Sequence, residues 1–172
     1  MRKWSSFLKF QIVSAIFVIA LGTVLHFTFQ WSDGNKIVGL FSAVNESTWE
    51  HLKLIFYPMI ITTIVGNYIF GEKIICAKTA GIITAMLFTV IFFYTYTGII
   101  GTNYAFLNIA TFIISVILVE YVTYRLYESN VLYNPNICTI ILIILLICFI
   151  IFTFNAPKIN LFKDPITGLY GI

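Results

Sequence analysis

Four stretches of the chain carry no formal charge: 10–32, 54–71, 79–119 and 129–157. A helix needs about 20 apolar residues to cross a bilayer. Three of the stretches are near that size, and the third is long enough for two helices. "TGIIGTN" at 97–103 supplies the turn between them. The pattern therefore predicts an all-α, polytopic membrane helix bundle. Its five transmembrane helices fall at about 7–29, 48–70, 73–97, 104–126 and 136–155. One membrane domain then covers 1–172, with a tail at 156–172 packing at the outer face. The short loops after span two make those helices up-and-down neighbours.

Composition agrees. The 172 residues are 60% hydrophobic and 10% charged, where a soluble domain carries roughly 25% charged residues. Such a chain cannot clothe a water-facing surface, so the lipid bilayer is its expected partner and a multi-pass position in the cell membrane its expected location. A net charge of +3 without a basic, aromatic-interleaved run gives nucleic-acid binding no support. The basic start "MRK" suggests a signal peptide, but the following apolar run is too long for one, which predicts a retained first span. Lys and Arg positions favour a cytoplasmic amino terminus and an outside carboxyl terminus. Arg2, Lys3, Lys9, Lys73, Lys78 and Arg125 fall on one side, and Lys36, Lys53, Lys158 and Lys163 on the other. Cys76, Cys138 and Cys148 lie in apolar stretches without ligand spacing and read as apolar filler. Glu120 reads as a paired or snorkelling acid near a membrane face.

With five spans, the 30–47 loop and the tail share a side. His26, near the end of span one, and His51, near the start of span two, then lie at that same end. So do Asp33, Glu46, Glu50 and Asp164. "STWE" at 47–50 fits a capping box, with Ser47 capping span two and Glu50 reaching back. Glu46 and His51 are left over by that account. Below them, His51, Ile55, Pro58, Thr62 and Gly66 form one helical stripe, with Pro58 expected to kink the span. Tyr104, Asn108, Thr111 and Ser115 form a polar stripe running inward from the same end. "DPITG" at 164–168 has turn chemistry.

"HF" late in the first helix (His26, Phe27), "VNESTWEHLKLIFYP" at 44–58 and "FKDPITGLYGI" at the end together carry a resemblance. The chain resembles an uncharacterised family of small bacterial integral membrane proteins. That resemblance implies a multi-span membrane protein and names no reaction.

Three functions compete. Two histidines with a carboxylate suit a Zn²⁺ ion with an open position for water, as in a membrane-embedded hydrolase-like enzyme. His26 and His51 would be metal ligands; Glu46, Glu50 and His51 the catalytic groups; and Asn45, Lys53 and Asp164 binding residues. A small-solute or lipid-binding transport subunit would use a polar cavity open to that side, with the free amides at the start of span two facing an anion. A structural or regulatory partner would need only a capped, ion-paired helix end.

Overall fold

The computed structural model describes residues 5–129 and 134–172. Six α-helices follow in order: α1 (Ser6–Trp31), the single turn α2 (Lys36–Gly39), α3 (Thr48–Phe70), α4 (Lys73–Ile100), α5 (Ala105–Glu128) and α6 (Pro135–Phe154). A 3₁₀ turn, Asn160–Phe162, begins the tail. Five of the helices, α1 and α3 to α6, are long and apolar enough to cross a membrane. Their bounds lie within three residues of the expected ones.

Local chemistry sets the ends. Ser5 Oγ accepts from Leu8 N and Ser47 Oγ from Glu50 N, so each satisfies a first-turn amide that the helix itself cannot. Asn134 caps α6, and Pro135 at its first position has no amide to leave unpaired. Gly101, at φ 79°, closes α4 in the left-handed conformation that glycine adopts without a Cβ clash.

α3 is the central helix. It packs against α1 and α4; α5 closes the group against α4 and α1, and α6 lies outside on α4. Phe56, Met59, Ile82, Val116, Val119 and Phe149 are fully enclosed at the centre. Ile137, Ile140, Ile143, Ile144, Ile147 and Ile151 on α6 are exposed, the reverse of a water-soluble helix.

The Pro58 ring cannot donate to the carbonyl of Leu54, and α1 comes close to that freed carbonyl. A Cβ on Gly22 would stand 2.5 Å from Leu54 O. Glycine there lets the two backbones approach, the usual role of small residues between membrane helices. Ile55, Pro58, Thr62 and Gly66 of the His51 stripe are buried.

Three sequence expectations need correction. Cys76 and Cys138 are joined by a disulfide that ties the start of α4 to the start of α6, so they are not filler; only Cys148 is a free thiol. Glu120 is paired, as one of its two readings had it, but it does not snorkel to an exposed face. It is buried and pairs with Lys78 at 2.7 Å, while Ser14 donates to it at 2.6 Å. Lys78 and Lys53 are wholly enclosed, so neither counts among the loop charges used for orientation.

Candidate functional site

The segment between α2 and α3 carries Glu46, and two bonds fix where it lies. Ser42 Oγ accepts from Phe29 N at 3.0 Å and donates to Leu25 O, seating the segment on the turn of α1 that bears His26. Glu50 Oε2 accepts from Val44 N at 3.1 Å, seating the same segment on α3. Glu46 is thereby held between His26 and His51.

Glu46 Oε1 lies 3.8 Å from His26 Nε2, and its Oε2 lies 3.4 Å from His51 Nε2. The two imidazole rings stand 5.2 Å apart. One ligand atom from each residue falls within 4.8 Å of the others. His51 Nδ1 donates to Ser47 O at 2.9 Å, so the ring presents Nε2 to the cluster. His26 Nδ1 is buried without a partner among the described residues. The hydrogen bond with His51 is the main cause that holds the Glu46 carboxyl below the usual carboxylate range; burial opposes it, and the charge the two imidazoles carry when protonated adds to it. The anion is thus the favoured form at neutral pH.

The remaining sequence candidates bond to other groups than this cluster. Glu50 and Lys53 turn inward as a buried ion pair at 2.6 Å. Lys53 Nζ also donates to Gly39 O at 3.0 Å and to Thr153 Oγ1 at 2.5 Å. It joins the 36–44 segment, α3 and the end of α6. The capping box is therefore half filled. Ser47 caps as expected, but Glu50 reaches Val44, and Asn45 Oδ1 takes the Ser47 amide at 2.9 Å. Asn45 Nδ2 donates to Gly171 O at 3.1 Å, and Ile172 N to Thr153 O at 3.0 Å, so the last residues dock on the bundle end. Asp164 spends its carboxylate on its own turn, accepting from Ile166 N and Thr167 Oγ1, both at 2.8 Å.

Two cavities meet at Glu46. A wide one of about 320 Å³ is bordered by His26, Gln30, Asn45 and Asp164. A narrow one of about 50 Å³ runs from Glu46 and His51 down between α3, α4 and α5.

The model of a family of unknown function, DUF6512, matches residues 1–172. The chain belongs to this family. No curated protein and no solved structure matches it. Membership in DUF6512 brings no activity with it, so the site in this DUF6512 chain stands on its own geometry. Ser42 and Thr153 are among the positions that sequence reading missed. Isolated hydroxyl residues in apolar runs give no signal for the contacts that place them. A third contact group, Tyr96 with Asn103 and Asn108, sits at the same end. The Tyr96 hydroxyl is shared between the two asparagines, and Asn108 Nδ2 donates to Asn103 Oδ1 at 2.7 Å. Only Asn108 of these three lay on a stripe visible in the sequence.

Proposed function

We propose that this chain is a multi-pass membrane protein that holds a Zn²⁺ ion on His26, Glu46 and His51 and hydrolyses a substrate there. The observation that carries the reading is the convergence of the three ligand atoms within 4.8 Å of one another at one end of the bundle.

The donor set fits the ion. Two imidazole nitrogens and one carboxylate are a recurrent catalytic zinc set that leaves the fourth position to water. Zinc–ligand bonds of about 2.0–2.2 Å put tetrahedral neighbours some 3.4 Å apart. Glu46 reaches His26 through Oε1 at 3.8 Å and His51 through Oε2 at 3.4 Å; with one atom from each residue the set lies within 4.8 Å, so the side chains would have to draw together around the ion. The Ser47 carbonyl orients His51 by accepting from its Nδ1, leaving Nε2 for the ion. The Glu46 anion would offset part of the ion's charge.

Zinc bound in such a set lowers the pKa of its water toward about 7, supplying hydroxide near neutral pH. The chain's own residues would fix the ion and keep its open side on the two cavities. Glu50 and Asp164 are each committed to other bonds. The reading therefore assigns no separate carboxylate base.

Metal analysis of purified, zinc-equilibrated protein tests the reading. About one zinc per chain is expected. His26→Ala, Glu46→Gln and His51→Ala should each weaken binding by more than the roughly 10–100-fold that loss of an outer-shell partner costs. Protein that binds no zinc, or binds it equally in all three variants, would refute it.

A further inference from the structure

Glu46 borders both cavities, and they differ in chemistry. The wide one is flanked by Gln30, Asn45 and Asp164 and opens to the bundle end. Below Glu46 and His51 the narrow one is walled by Leu54, Ile55, Phe93 and Phe112, with Thr48, Thr89, Thr111 and Asn108 among them; the Asn108 amide is taken up by Tyr96 and Asn103.

Thr89 and Thr111 do not make it a polar hole. Thr111 Oγ1 donates to Leu107 O at 2.6 Å. Thr89 Oγ1 is within 2.9 Å of Ala85 O and 2.7 Å of Ser115 Oγ. Both hydroxyls are thus already bonded within the protein. A buried water needs 2–4 polar partners, and this floor offers few. An apolar occupant suits it better.

Volume decides how large that occupant is. At about 10–15 Å³ for each water-sized group, 50 Å³ holds roughly three to five such groups. That is a short acyl chain, and far less than a bilayer lipid's.

We infer that the substrate is an ester of a short acyl group with a polar alcohol. The acyl chain would enter the narrow cavity between α3, α4 and α5, and the alcohol would lie in the wide one. This rests on the zinc reading above. In the reaction, hydroxide from water adds to the acyl carbon, and the bond from that carbon to the alcohol oxygen breaks. The alcohol leaves with the proton, so ester and water give acid and alcohol. Thr111 and Phe93 would set the chain length accepted.

The test uses the full-length, zinc-loaded protein in detergent with 4-nitrophenyl acetate, butyrate, octanoate and palmitate. Butyrate should give the highest kcat/KM, with palmitate lower by at least about tenfold, the usual effect of a misfitted methylene or more. Thr111→Leu, which fills the cavity, should move the optimum to acetate. Phe93→Ala, which enlarges it, should move the optimum to octanoate. Both variants should keep one zinc per chain. Full zinc occupancy with a flat chain-length profile, a profile that neither variant moves, or no hydrolysis at all would overturn the inference while the metal site stands. Loss of zinc binding in the unmodified chain would instead overturn the metal site, and the inference with it.

Discussion

Lys78 Nζ lies 2.7 Å from both carboxylate oxygens of Glu120, enclosed between α4 and α5 with Ser14 of α1 completing the group. Lys78 is 0% and Glu120 6% exposed. Removing one partner leaves a charge with nothing to offset its desolvation. Glu120→Gln should therefore lower stability by about 3–5 kcal/mol, read as thermal unfolding in detergent. Replacing both residues with Met should recover most of that loss, because an apolar pair of similar size costs little. A Glu120→Gln protein that unfolds at the unmodified temperature would contradict this picture of the bundle.

Two glycines make a paired test of helix packing. Gly22→Val should strongly destabilise, since its Cβ would stand 2.5 Å from Leu54 O and 2.7 Å from the Phe112 ring. Gly98→Ala meets nothing within 4 Å inside α4. It should be neutral or stabilise by about 0.5–1 kcal/mol. Equal effects at the two positions in an unfolding assay would show that α1 does not approach α3 as described.

The docked tail can be followed by proteolysis. Asn45→Ala removes the bond to Gly171 O, worth about 1 kcal/mol. One such bond shifts an opening equilibrium roughly fivefold. Trypsin should then cut at Lys158 and Lys163 several-fold faster than in the unmodified chain. Unchanged cleavage would mean that Asn45 does not hold the tail.

The disulfide sets a test of orientation. Cys76 and Cys138 lie at the amino-terminal end of the bundle, opposite His26 and His51. Disulfides persist on oxidising faces and are rare in the cytosol. If membranes are quenched with an alkylating agent before lysis, the two cysteines should be found oxidised. The amino-terminal end would then face outward, against the simple count of Lys and Arg. Alkylation of both thiols would restore the charge-based orientation.

How far the sequence reached follows from what kind of information each feature needs. The five helices were legible because hydropathy is a local property, summed over about 20 residues. Ser47, Glu46 and His51 were legible because capping chemistry explained the first and left the other two over. His26 joined them through topology alone, since the loop between consecutive spans brings the end of α1 to the side where α3 starts. The contacts that span the sequence were not legible. Lys78 meets Glu120 across 42 residues and Lys53 meets Thr153 across 100; Cys76 and Cys138 are 62 apart. Nothing in helical periodicity names the partner on a neighbouring helix. Asp164 shows the opposite case. "DPITG" already signalled a self-contained turn, and the aspartate is spent in it.

The most direct test of the central claim is anomalous X-ray scattering at the zinc absorption edge from crystals of zinc-equilibrated protein. One peak per chain is expected, bonded to His26 Nε2, His51 Nε2 and a Glu46 oxygen at about 2.0–2.2 Å, with a fourth position open to the cavities. No peak between these three side chains, or zinc held only elsewhere on the chain, would contradict it.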